Sequence, residues 1–376
     1  MINRLKQMLI KEFLQILRDP RMRMVVLGIP VIQMLVMSFA MTMDVTHIST
    51  AVMDMDKTQS SRELINAFGS NHYFQIHYYI NDQNAFSILL DSKKVGAILH
   101  IPSGFESDIN AGRTAKVQLI ADGTDSNTTA ILLGYADGIV NGYSSEKLMM
   151  QLKKKYGAHY QPVQVETITR AWFNPNQESK YFYVPSLIAV MLFIFSLLLT
   201  SIGIVKEKEM GTIEQIMVTP IRKMEFIIAK TIPCMTTGYL TMTLMIGVAI
   251  LVFNVHIQGS MLLLYFLTSI YLIGNMGIAL IISASAVTQQ QALLTAFLII
   301  MPCVMLSGFI FPIHNMPQVV QYATYFNPMR WYLEILRGIV MKGAAMKSLW
   351  VATLWQSFLA VLFITLATKR FKKTLS

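Results

Sequence analysis

Residues 231–329 contain no Asp, Glu, Lys or Arg. A water-soluble fold carries charge on about 25% of its residues to cover its surface. This 376-residue chain has 14% charged and 54% apolar residues, with a mean hydropathy of +0.48. That balance excludes a disordered chain, a disulfide scaffold and an ordinary soluble enzyme, and points to a protein embedded in a bilayer. Both cysteines, Cys234 and Cys303, fall inside the uncharged stretch and are expected to pack within helices. The net charge of +10 would ordinarily raise nucleic acid as a partner. Here it reads as membrane topology, because Lys and Arg gather beside the cytoplasmic ends of spans.

A hydrocarbon core about 30 Å thick takes roughly 20 apolar residues in a helix. Stretches near 24–43, 183–205, 231–253, 261–286, 291–311 and 348–368 qualify, so six spans are expected. Basic clusters at Arg4–Arg23, Lys206–Lys230 and Lys369–Lys373 fall on one side when both termini are cytoplasmic. The segment 312–347 breaks the pattern, since Arg330, Arg337, Lys342 and Lys347 then lie outside. Before the first span, Leu5, Met8, Leu9, Phe13, Ile16 and Leu17 recur at helical spacing, with Arg4, Lys6, Lys11 and Arg18 on other faces. Residues 1–20 therefore read as a retained amphipathic helix in the interface, ended by Pro20, and residues 21–43 as the first span. The expected fold is a polytopic α-helical membrane protein with an inserted α/β extracytoplasmic domain.

That insertion, residues 44–178, has ordinary polarity, with 11 basic and 14 acidic residues. AVMDMD, FQIHYYI, VGAILHI, AKVQLIAD and PVQVETI read as strands; SRELINAFG, DQNAFSILLDS and the long run from Asn127 to Lys155 read as helices. Asp54 and Asp56 are expected to be solvated carboxylates at a strand end. His47, His72, His77, His100 and His159 are expected at the surface, without a zinc spacing. The G-x-S-x-G and H-E-x-x-H patterns are missing, so no catalytic residue, cofactor or metal is assigned to this chain.

Residues 179–376 hold the remaining five spans. The third to fifth carry no ionisable group, which disfavours a proton- or sodium-coupled carrier. Gly274, Gly277 and Ser283-Ala284-Ser285-Ala286 suit close helix packing, or a pathway wall tolerant of amphipathic cargo. No G-x-x-x-x-G-K-[ST] loop occurs, so energy from ATP would come from a separate chain. The segment 206–230, KEKEMGTIEQIMVTPIRKMEFIIAK, interleaves Glu207, Glu209, Glu214 and Glu225 with its basic residues, beside Met210, Ile213, Ile216 and Met217. Mixed charge next to apolar side chains suggests a protein-docking surface, with a solvated helix end as the plainer reading.

An ordered set of segments resembles the type 2 ABC exporter permeases, in the branch with a large outer domain between the first two spans. The segments are KEFLQILRDPRMRM, VMDMDKTQSSRELINAF, IPSGFESDINAG, ADGTDSNTTAILLGYADGIV, Lys206–Lys230 with Glu209, Gly211 and Thr212, and the stretch from Ser307 to Gly343. The resemblance implies that 206–220 includes the coupling helix that rests on an ABC ATPase subunit, with Glu207, Glu209, Gly211, Thr212 and Glu214 at the matching positions. It implies that 308–343 forms short re-entrant helices on the outer side, punctuated by Gly308, Pro312, Pro317 and Pro328. Arg330 and Arg337 would then lie near lipid headgroups or pair with Glu334. One departure is that Ser186, where the family usually has glycine, follows Pro185, the proline opening the second span.

The resemblance further implies a dimer of permeases, identical or paralogous, with ATP and Mg bound on two partner ATPase chains. A path between the copies would be lined chiefly by the second and fifth spans. The cargo class expected is an amphipathic drug, antibiotic or lipid-like compound, ahead of polysaccharide. The setting implied is a bacterial inner membrane, with a periplasmic adaptor as a further partner where two membranes exist. A membrane sensor or scaffold with a ligand-binding outer domain is the alternative. A channel is disfavoured by the lack of filter signals.

Overall fold

The computed structural model describes residues 6–7, 9–11, 13–14, 18, 20–41, 47–71, 73–157, 172–175, 178–211 and 223–370. The chain divides into two compact units, one formed by Met1–Thr42 with Arg170–Ser376, the other by Met43–Thr169.

The first unit is helical. A short turn, Pro20–Arg23, runs through five residues of π-helix, Met24–Gly28, into α1 (Ile29–Ala40). The next four helices described in chain order belong to the second unit. The helical unit resumes with α6 (Ser179–Glu209), α7 (Lys223–Leu251), α8 (Met261–Ser285) and α9 (Gln289–Met305). The short α10 (Gln318–Ala323), α11 (Pro328–Lys342) and α12 (Met346–Arg370) complete it.

Among the described residues four helical stretches are long and apolar enough to cross a membrane: Ser179–Glu209, Ile228–Leu251, Met261–Ser285 and Met346–Arg370. The stretches expected as the first and fifth spans are shorter apolar helices, Val26–Ala40 and Gln289–Met305. The most apolar windows of α6 and α8 are 67% and 72% buried, against 33% for α7 and α12. So α6 and α8 form the centre, and α7 and α12 turn much of their apolar surface outward, as lipid-facing helices do. The glycines of α8 set its distance from α12. A Cβ on Gly274 would lie 3.5 Å from the Ala360 Cα, and one on Gly277 only 2.7 Å from the Phe363 Cβ. Small residues here let two backbones meet, the packing mode lipid favours.

α11 lies against this bundle with Trp331, Tyr332, Ile335, Leu336 and Ile339 buried. Tyr332 stacks on Tyr271 of α8 at 3.9 Å, and its hydroxyl meets the Thr268 hydroxyl at 2.8 Å. Asn327 caps both neighbours: its side chain accepts from Met329 N and donates to Cys303 O at the end of α9. The α7–α8 connection joins the far end of α11, where Gln258 N donates to Val340 O at 3.1 Å. Helix ends are thus satisfied by protein groups, as apolar surroundings require.

The second unit holds β1 (Ile48–Asp54), α2 (Gln59–Gly69), β2 (Phe74–Tyr79), α3 (Ala85–Asp91), β3 (Ala97–Ile101), α4 (Phe105–Asn110), β4 (Gln118–Ala121) and α5 (Ser126–Tyr156). The strand order is β2-β1-β3-β4, parallel except for β3 against β4. On one face Val52, Leu99 and Phe74 pack with Leu64 and Phe68 of α2 and Leu132 and Ala136 of α5. On the other, Ala51 and Ile98 meet Phe86, Leu89 and Leu90 from α3. His100 is buried on β3 and faces the Gln118 amide, Nδ1 to Oε1 at 3.3 Å. That corrects its expected surface position, because an inner parallel strand is covered on both faces. His47 and His77 are exposed; His72, His159 and the expected strand PVQVETI lie outside the described residues.

Asp54 and Asp56 are also not the solvated pair expected. Asp54 accepts from the backbone N–H groups of Asp56 and Lys57 and from the Ser61 hydroxyl. Asp56 accepts from Gly104 N at 2.7 Å, Glu106 N at 3.0 Å and the Thr58 hydroxyl at 2.6 Å. It thereby closes the crevice between the β1 and β3 loops, the switch point where open α/β sheets often take a ligand. Burial alone would raise the Asp56 carboxyl, but the Thr58 hydroxyl and the Glu106 and Gly104 amides outweigh it and hold it low. A lowered folded-state value means the stabilisation is complete above the ordinary carboxylate range and fades as pH falls through and below it. Asp56→Ala should cost this unit about 1–2 kcal/mol at neutral pH, and less in acid. Amide-exchange protection of residues 104–110 in the full chain, at several pH values, checks both the loss and its sign.

Candidate functional site: the two ends of the helical unit

At the end of the bundle where α6 stops, sequence places alternating charge, KEKE, on a helix terminus. Glu207 is 2% exposed; its carboxylate accepts from Lys11 Nζ at 2.8 Å and forms an ion pair with Lys230 Nζ at 3.0 Å. One carboxylate thus joins the leading segment, α6 and α7. Glu209 accepts from Gln289 Nε2 at 2.7 Å and more loosely from Gln289 N at 3.4 Å, placing a negative charge at the N-terminus of α9, where the helix dipole favours it. Lys208 Nζ donates to Ala286 O at 2.9 Å, at the opposite pole of α8. The α8–α9 turn is therefore held between two adjacent charges on α6.

These contacts change the reading of the expected docking residues. Glu207 and Glu209 face the chain's own helices. Gly211, one residue beyond the Met210 that caps α6, turns the chain at φ +71°, a conformation that glycine adopts without strain. Met210 beside it is 56% exposed. Thr212 and Glu214 lie outside the described residues, as do Ile213, Ile216 and Met217. Lys11, Lys230, Lys208 and Gln289 are the partners that sequence reasoning missed. Their separations, 196 residues for Lys11 and Glu207, leave no local signal.

At the other end, Arg337 of α11 donates from Nε to Ser186 Oγ at 2.7 Å and shares its terminal nitrogens with Gly308 O at 3.3 Å. Its guanidinium lies 3.8 Å from the centre of the Phe182 ring, a cation–π contact. Arg337 so gathers α6, the chain leaving α9 and α11. Ser186, the departure from the family's glycine, supplies the acceptor and also donates to Phe182 O within α6. Gly308 takes φ +84° where the chain leaves α9. Pro312 and Pro317 precede the short turn Ile313–Asn315 and α10, and Pro328 opens α11. Arg330 stacks over Tyr325 and Trp331 at 4.2 and 4.7 Å and donates to Gln321 O and the Thr324 hydroxyl. Glu334 is exposed and forms no ion pair with either arginine, which corrects the expected pairing. Aromatic faces and carbonyls, rather than a carboxylate, hold these cations. Among the described residues no group of three His, Cys, Asp or Glu side chains is placed to hold a metal.

A helical membrane unit with ion-bonded helix ends, interrupted by an α/β unit between its first helix and the rest, defines a multi-pass membrane protein. The chain matches the model of the ABC-2 family transporter proteins over residues 20–369, and it belongs to that family. It is similar to the probable multidrug ABC transporter permease YbhR of Escherichia coli, with 32% identity over 92% of this chain and 91% of that protein. The probable multidrug ABC transporter permease YbhS of the same organism is 29% identical over 99% of this chain and 97% of its own length. The linearmycin resistance permease protein LnrN of Bacillus subtilis is 19% identical over 89% of this chain and 90% of its own.

Proposed function

We propose that this chain is the membrane subunit of an ATP-driven exporter, working as a dimer of permeases with two ABC ATPase chains that bind ATP and Mg. The names of the relatives, multidrug permeases among them, support an amphipathic small molecule as cargo. In this reading six spans cross a bacterial inner membrane with both termini cytoplasmic. The helical run Pro20–Ala40 is the first and α9 the fifth; α9, with 17 residues, reaches about 25 Å at 1.5 Å per residue, and the turns after Met305 complete its crossing. The α/β unit faces outward, where a periplasmic adaptor would meet it, and 308–343 caps the outer side.

The observation that carries the proposal is the tie between the last turn of α6 and the turn into α9, made by Glu209 to Gln289 and Lys208 to Ala286. An ATPase closing beneath 206–220 would move the ends of α6 and α9 together, and these are the spans proposed to line the path. Coupling is then a property of bonds inside this chain as well as of the docking surface. Glu209→Lys should leave ATP hydrolysis by the assembled complex and the membrane level of the chain unchanged. Efflux of an amphipathic dye such as ethidium should fall about tenfold, the effect of roughly 1.4 kcal/mol of coupling. Efflux at the wild-type rate would remove Glu209 from the coupling route. Purification in mild detergent should bring down an ATP-hydrolysing chain, and a stable preparation without one would overturn the exporter reading.

A further inference from the structure

Along α5, Tyr143, Lys147 and Gln151 recur every four residues and share one face. Each makes a polar bridge: Tyr143 to Ser60 O, Lys147 to the Glu63 carboxylate, Gln151 to Ile109 O. The lower half of α5 is thus joined to α2 and α4 through long polar side chains rather than by close apolar packing. Between these helices and the connection 112–117 lies a cavity of about 340 Å³, within the range of small-molecule sites.

The wall is two-sided in chemistry. Leu64 and Phe105 form a sealed apolar floor, 1% and 5% exposed. Ile109 and Val140 are half-buried, and Leu148 at the mouth is 56% exposed. Among the described residues the charged lining side chains are Arg113 and Lys147, and no carboxylate lines the cavity. Their partners Asp108 and Glu63 hold them from beyond the lining. Arg113 presents five N–H donors, of which Nε and one terminal nitrogen go to Asp108, so donors remain for a second acceptor.

We infer that this cavity is a binding site for a small amphipathic anion, its apolar body against Leu64, Phe105, Ile109 and Val140 and its acidic head on Arg113 and Lys147. Burial of the half-exposed aliphatic wall drives entry, and the cations select the sign of the head. A cationic amphiphile finds the same floor but two like charges at the head. This site is separate from the path proposed between spans, and it holds whichever way the helical unit works.

The test uses the full chain in phosphatidylcholine nanodiscs, with Leu148→Cys at the mouth in a Cys234→Ser, Cys303→Ala background. The rate of labelling by a neutral maleimide is followed as laurate or dodecyltrimethylammonium is added. Laurate at ten times its dissociation constant should slow labelling about tenfold, and dodecyltrimethylammonium should not. Ser92→Cys, beside α3 on the opposite face of the sheet, should label at one rate throughout. Arg113→Ser, in an exposed connection, should weaken protection by laurate, and Val140→Trp should abolish it by filling the cavity. Nanodiscs containing phosphatidylglycerol separate two sources of the ligand: protection without laurate there identifies a bilayer lipid, and its absence a dissolved acid. Labelling unaffected by laurate and by phosphatidylglycerol overturns the proposal, as does equal protection by both single-chain amphiphiles or undiminished protection in Arg113→Ser.

Discussion

Glu207→Ala should destabilise the helical unit by about 3–5 kcal/mol, the usual cost of removing one partner from a buried ion pair. The carboxylate is 2% exposed and Lys230 is 9% exposed, so water cannot replace what is lost. Lys11 is 51% exposed, and Lys11→Met should cost under about 1 kcal/mol, as exposed pairs do. The double change Glu207→Leu with Lys230→Met should recover much of the stability, because an apolar pair of similar volume avoids the desolvation of two charges. Thermal unfolding of the four proteins in detergent reads this order. An Ala variant that melts with the wild type would show that Glu207 does not hold this end together.

The order of effects also separates structure from signalling. If the knot at Glu207 only fastens helices, the Leu–Met variant should transport as well as it folds. If movement of the leading segment is part of the coupling, the same variant should be stable and still lose dye efflux.

Residues 231–329 announce the bundle because a charge-free stretch of that length has no soluble solution. Gly274 and Gly277 announce the close packing of α8, and alternating apolar runs disclose four of the strands. What stays hidden has physical causes. Glu207 and Glu209, at the end of α6, read as part of a docking surface because sequence shows their basic neighbours but not Lys11 or Gln289, brought in by tertiary packing. α4 has six residues, too few to show a period. His100 looks polar in isolation, yet β3 is buried on both faces. The resemblance put Arg330 and Arg337 near headgroups or beside Glu334, whereas Arg330 rests on Tyr325, Trp331 and the Gln321 carbonyl of its own segment, and Arg337 on Phe182, Ser186 and the Gly308 carbonyl of other elements. Local pattern discloses elements, and long-range charge partners emerge only when the elements pack.

The glycines of α8 give the sharpest contrast between neighbouring positions. A Cβ at Gly277 would sit 2.7 Å from the Phe363 Cβ and 2.8 Å from both Ile364 N and Phe363 C. Two of those three atoms are backbone, so no rotamer change relieves the clash and α12 must move away. Gly277→Ala should therefore cost about 2 kcal/mol or more through overpacking, and Gly277→Leu should prevent the two helices from closing. At Gly274 the nearest atom is the Ala360 Cα at 3.5 Å, ordinary contact distance. Gly274→Ala should be neutral, or stabilising by up to about 1 kcal/mol through helix propensity. Trimming the partner with Phe363→Ala should not rescue Gly277→Ala, since the Ile364 amide remains in place. Melting temperatures and membrane levels of these variants decide the matter: if both alanine substitutions behave alike, α8 and α12 are not in backbone contact at Gly277.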